Sequence, residues 1–107
     1  MTILEEIILQ ARSELELAKN QIPLEQLQQQ IVNSQHPPKV LTRAQNVQII
    51  AEIKPKSPSA GQLLTTDPLE LAKTYENYQA SALSVLTNQQ FFGGSLDLLS
   101  QIRRLTS

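Results

Sequence analysis

The 107-residue sequence contains no cysteine, which removes disulfides, thiolate nucleophiles and cysteine-held metal centres together. It has a single histidine, His36, so a histidine-centred metal site lacks its ligands. No apolar run approaches the roughly 18 residues of a helical bilayer span, and nothing points to a membrane. Neither sign of charge is in excess. Nine Lys and Arg stand against ten Asp and Glu, a net charge of −1, so no positive field is available to hold a nucleic-acid backbone. The opening MTILEEII carries acid where a secretory leader carries base, which leads to the expectation of a cytoplasmic protein. What is present is 40% hydrophobic residues in a length that suits one globular domain at most.

The first third reads as helix. Thr2 and Glu5 have the spacing of a capping box, in which each side chain satisfies the other's backbone N–H. Leu4, Ile7, Ile8, Ala11, Leu15 and Ala18 then recur at helical intervals and form one apolar stripe. Pro23 suits the first turn of a second helix carrying Leu24, Leu27 and Ile31 through the glutamine-rich LEQLQQQIV, a solvated face. Between Asn33 and Asn46 the periodicity stops around His36-Pro37-Pro38, and a connector is expected there, with His36 exposed. Residues 1–46 are thus a helical extension with its connector.

Residues 47–107 follow a different pattern. In VQIIAEIK, Val47, Ile49, Ala51 and Ile53 fall on one side of an extended chain, with Gln48, Ile50, Glu52 and Lys54 on the other. KSPSAGQ is turn chemistry, and Asp67-Pro68 opens a helix with Asp67 as N-cap, its buried stripe being Leu71, Ala72, Tyr75 and Tyr78. ALSVL at 82–86 reads as a buried strand, NQQFFGG as a loop, and Ser95 as the cap of a last helix carrying Leu98, Leu99, Ile102 and Leu105. The order strand, helix, strand, helix predicts an α/β fold whose two strands lie parallel, joined by a right-handed crossover. Two such strands leave one flank each without a partner, so the sheet is expected to be part of a larger one.

Glu52 and Lys54 are two apart on a strand, so both leave one face about 7 Å apart at roughly 3.3 Å per residue. They form either a structural ion pair or a functional one. Their place at the strand's C-terminal end, where α/β folds keep their ligands, favours function. Lys56, Ser57, Ser59 and Gly61 compose a polar loop with the groups of an anion site, although most such turns bind nothing. Phe91-Phe92 is either a lid on the sheet or an aromatic wall for a ligand. Asp97 and Arg103-Arg104 suit the ends of the last helix dipole.

Taken in order and spacing, IIAEIKPKSPSAG, DPLELAKTYE, ASALSVLT and FFGGSLDLLSQIR closely resemble the first part of the indole-3-glycerol phosphate synthase family. Residues 47–104 carry the likeness, and residues 1–32 resemble the helical segment that precedes that family's barrel. The resemblance implies leading helices followed by two βα units, a partial (β/α)8 TIM barrel. It also implies a substrate, 1-(2-carboxyphenylamino)-1-deoxyribulose 5-phosphate, converted to indole-3-glycerol phosphate with loss of carbon dioxide and water in tryptophan biosynthesis, without metal or organic cofactor. By the same resemblance Lys54 is the catalytic first-strand lysine and Glu52 the carboxylate that orients its chemistry. Ser57 contacts the substrate carboxylate, Phe92 walls the anthranilate ring, and Lys56 matches a basic loop position.

The sequence also departs from the family pattern. Pro55 stands at a site that is usually basic, Asn88 and Gln90 replace charged loop residues, and Tyr78-Gln79 replace a frequent Gly-Gly. The family's general-acid lysine after the third strand, and the loops that grip phosphate, lie beyond the matched segment. The expectation is therefore an N-terminal fragment of such an enzyme, inactive alone and completed by a C-terminal barrel fragment. The alternative is a non-catalytic module that covers its strand edges by self-association.

Overall fold

In the computed structural model, which describes residues 1–107, the chain divides into two units, Met1–Leu41 and Thr42–Ser107. The first holds helix α1 (Ile3–Gln21) and helix α2 (Leu24–Val32). The expected capping box starts α1: Glu5 N–H donates to Thr2 Oγ1 at 3.2 Å, and Thr2 N–H donates to Glu5 Oε2 at 2.8 Å. Pro23 sits one step earlier than expected, at the N-cap of α2, where its carbonyl accepts from the N–H groups of Gln26 and Leu27. Neither helix buries a side chain, and of the anticipated stripe only Ile7 is half-buried. The helices form where expected, but two helices of 19 and 9 residues supply no second layer to close over the stripe.

The second unit is α/β. Strand β1 (Ile50–Ile53) is followed by a hairpin of β2 (Lys56–Ser57) and β3 (Gly61–Gln62), helix α3 (Pro68–Asn77), strand β4 (Ala82–Val85), the one-turn helix α4 (Gln89–Phe92) and helix α5 (Leu96–Leu105). β1 and β4 pair in parallel, with Ile50 beside Ala82, Ala51 beside Leu83, Glu52 beside Ser84 and Ile53 beside Val85. Alternation then sorts the side chains. Ala51 and Ile53 are buried, and Ile53 forms a core with Ala72 of α3 and Ile102 of α5, flanked by Leu83, Val85, Tyr75 and Leu98. Ile50 and Glu52 project from the face opposite α3 and α5, and both are exposed.

Three local expectations, the start of the first strand, the loop NQQFFGG and the burial of Tyr78, need correction. The first strand was expected to begin at Val47 but begins at Ile50, leaving Val47 93% and Ile49 63% exposed. The last rung is Ser81 N–H to the Ile49 carbonyl, and residues before it have no strand to pair with. KSPSAGQ makes the expected turn, as a short antiparallel hairpin, whereas NQQFFGG contains a helical turn in place of a loop, because Asn88 Oδ1 accepts the Phe91 N–H at 2.8 Å and caps it. Tyr78, placed in the buried stripe by periodicity, is 84% exposed because α3 stops at Asn77. The other caps stand where expected: Asp67 accepts from Leu69 N–H with Pro68 at the first helical position, and Ser95 Oγ accepts from Leu98 N–H. Asp97 and the Arg103-Arg104 pair lie in the first and last turns of α5.

The end of α3 shows what one of the noted departures, Gln79 in place of glycine, costs. Ala80 N–H donates to the Tyr75 carbonyl and Gln79 N–H to that of Glu76, the hydrogen-bond pair of a Schellman motif, with Gln79 at φ 64°. That left-handed position favours glycine, and a side chain there costs about 1 kcal/mol. Gly94 has the opposite need. It is buried, and a Cβ on it would stand 1.7 Å from the Leu86 carbonyl oxygen, so nothing larger than glycine lets the chain leave α4 so close to β4.

Two outcomes follow for urea unfolding of this chain. Gln79→Gly is expected to raise the unfolding free energy by about 1 kcal/mol, and Gly94→Ala to lower it by about 3 kcal/mol or more, since the obstacle is backbone. The ends of α3 and α5 supply a pH dependence as well. The Ser107 hydroxyl and then its backbone N–H, each 2.7 Å from Glu76 Oε1, hold the Glu76 carboxyl below the usual carboxylate range, with Arg103 adding a smaller effect. A carboxyl lowered in the folded state stabilises above its unfolded pKa and loses that contribution as pH falls through the lowered value. Glu76→Gln should remove this part of the acid dependence, measured as the unfolding midpoint against pH.

Candidate active site

β1 ends with the Glu52 face turned away from α3 and α5. Glu52 lies on that face within the strand, and Lys54, two residues on, follows just past its last residue. Their separation along the backbone is bridged by the side chains: Lys54 Nζ lies 3.2 Å from Glu52 Oε1, with side-chain exposures of 37% and 45%. An ion pair this open to water contributes on the order of 0–1 kcal/mol, too little for stability to require it here.

Glu52 has a second partner. The Ser84 hydroxyl donates to Glu52 Oε2 at 3.2 Å, because the parallel register sets the two residues side by side. Ser84 escaped the reading of the sequence. Its signal was present, as the one polar residue in ALSVL, yet which strand residue faces it is decided by register alone. Ammonium, carboxylate and hydroxyl thus form one polar cluster at the C-terminal end of a parallel strand pair. Such a cluster can donate a proton or a positive field to a substrate oxygen while the carboxylate fixes the ammonium's position.

The other anticipated residues form a neighbouring group. The hairpin leaves β1 directly, and α4 leaves β4, and these two pieces pack on each other. Lys56 lays its stem beside Gly93, with Cγ 3.2 Å from where a Cβ on that glycine would stand. Phe91 and Phe92 are both half-buried on α4. Ser57 Oγ accepts the Ala60 N–H at 3.1 Å and lies 3.5 Å from Ser59 Oγ, so the hydroxyl builds the hairpin turn. His36 is exposed, and its backbone N–H donates to Ser34 Oγ. Ser57→Ala should therefore speed hydrogen exchange at the Ala60 amide several-fold, equivalent to about 1 kcal/mol of lost turn stability. Glycine at position 57 should do the same, and retention of the original exchange rate would deny Ser57 this role.

The chain as a whole is similar to known proteins. A family model described as indole-3-glycerol phosphate synthase matches residues 4–107. An indole-3-glycerol phosphate synthase of Campylobacter fetus is 40% identical over 109 residues, covering 98% of this chain and 42% of that protein. The corresponding proteins of a Parafrankia species and of Microcystis aeruginosa are 43% and 38% identical, covering 96% and 98% of this chain but 40% and 37% of themselves. The chain spans about two fifths of the length of these curated relatives. With both the leading helices and the segment that carries Glu52 and Lys54 inside the matched region, the chain belongs to the indole-3-glycerol phosphate synthase family and corresponds to its N-terminal part.

Proposed function

We propose that these residues are the opening portion of an indole-3-glycerol phosphate synthase. α1 and α2 form its leading segment, and β1 with α3 and β4 with α5 form the first two βα units of a (β/α)8 barrel. The observation that carries this reading is the Glu52–Lys54 pair on the face opposite α3 and α5, at the C-terminal end of a parallel strand pair. In a closed barrel that face turns to the interior, and the strands' C-terminal ends form the active-site rim.

The reaction in this reading closes the indole ring of 1-(2-carboxyphenylamino)-1-deoxyribulose 5-phosphate with loss of carbon dioxide and water. Attack of the aryl ring on the sugar carbonyl develops negative charge on the carbonyl oxygen, and Lys54 stabilises it as proton donor or fixed positive charge. Glu52 keeps the ammonium aimed. The substrate carboxylate must then depart as carbon dioxide, which disfavours a tight salt bridge and suits a hydroxyl such as Ser57 and the flat wall of Phe92. Lys56 adds positive charge near an anionic substrate. The reading assigns no metal or organic cofactor, and it places the enzyme in the cytoplasm.

A closed barrel has eight strands, and the parallel sheet here has two, each with an unpaired outer edge. The 107 residues alone are therefore expected to be inactive, and a complementing C-terminal barrel fragment is the partner that fits those edges. The test supplies the remainder of the Campylobacter fetus relative as a separate chain and assays indole-3-glycerol phosphate. Activity should appear only with both chains present. Lys54→Met and Glu52→Gln should each lower kcat about a hundredfold or more. Unchanged kcat in the Lys54→Met complex would overturn the reading. A chain that only self-associates in sedimentation and never takes up the second fragment would favour a non-catalytic module.

A further inference from the structure

The proposed chemistry uses Glu52 and Lys54, yet a pair of long, half-exposed side chains has many rotamers in which the carboxylate and ammonium point elsewhere. We infer that Ser84 is the positioning residue that holds this pair in register, an inference that rests on the reading of Glu52 and Lys54 as the reacting pair. Ser84 sits at the centre of β4, directly beside Glu52 in the parallel ladder, and its hydroxyl donates to Oε2 at 3.2 Å while Oε1 meets Lys54 Nζ at 3.2 Å. The two carboxylate oxygens are thus divided between two donors on different sides, which fixes the plane of the carboxylate as well as its position. A serine has one side-chain torsion before its oxygen and is anchored in a strand whose backbone is fixed by the ladder. It therefore loses little freedom in making the bond, whereas a lysine or arginine in its place would bring its own flexibility.

The composition of β4 supports this assignment. A strand in a parallel sheet is normally a continuous apolar run, and residues 82–86 are apolar except at Ser84. Leu83 and Val85 on the other face pack against the core, so the polar residue stands only where the carboxylate is. An alanine or valine there would leave Oε2 to solvent and Glu52 free to swing off Lys54. Threonine would retain the donor.

The test begins on the 107-residue chain, by side-chain NMR relaxation at the Glu52 Cγ methylene. In Ser84→Ala its order parameter should fall by about a third, with recovery in Ser84→Thr. Equal order in all three chains overturns the inference, whatever the enzyme does. The second arm uses the complex completed by the Campylobacter fetus fragment. Ser84→Ala should lower kcat about tenfold with KM within about twofold, and Ser84→Thr should restore it. Unchanged kcat in Ser84→Ala, in a complex that Glu52→Gln inactivates, overturns the positioning role and leaves the pair's role standing. Full activity of the Glu52→Gln complex instead overturns the reading on which the inference rests.

Discussion

Pairing of β1 with β4 in one particular register is the constraint from which the rest of the second unit follows. Because side chains alternate across a strand, the register that sets Ile53 beside Val85 on the helix-covered face also sets Glu52 beside Ser84 on the open one. A slip of one residue would carry Ile53 into water and the Glu52 carboxylate into contact with Ala72 and Ile102, groups that offer it no hydrogen bond. Burial of Ile53, which is wholly enclosed, and the assembly of the polar cluster are therefore one event.

The loops leaving these strands are held by backbone geometry more than by side-chain packing. Asn88 starts a helical turn immediately after β4, Gly93 ends it at φ 68°, and Gly94 passes against the Leu86 carbonyl where any side chain would collide. That sequence of cap, turn and glycine brings the Phe91-Phe92 turn against the hairpin that follows β1. The two pieces of chain that leave the parallel pair at the same end thus form one wall. At the opposite end of α3 the geometry is met less well, with Gln79 in a left-handed conformation that a glycine would adopt freely.

Membership of the indole-3-glycerol phosphate synthase family gives these features a common purpose in the proposed reading. An exposed ion pair adds little to stability, so the selection of Glu52 and Lys54 at the end of a parallel strand is better explained by what they face than by what they hold together. Ser84 joins them as a third member supplied by the neighbouring strand. The polar face and the unpaired edges of the two-stranded sheet both fit completion by further strands.

Local chemistry made many elements legible. Thr2, Asp67 and Ser95 announced their helices because a cap is a contact between residues two or three apart. Ala51 and Ile53 announced the buried side of β1 by alternation, and Glu52 and Lys54 announced a shared face in the same way. The true start of β1 depended on where β4 begins, the exposure of Tyr78 on where α3 ends, and the pairing of Ser84 with Glu52 on a register between residues 32 apart in sequence. Short-range spacing thus determined which residues could act together within one element. Which residues meet across elements was decided only by the tertiary structure, because strand pairing and helix packing join segments whose separation along the chain carries no periodic signal.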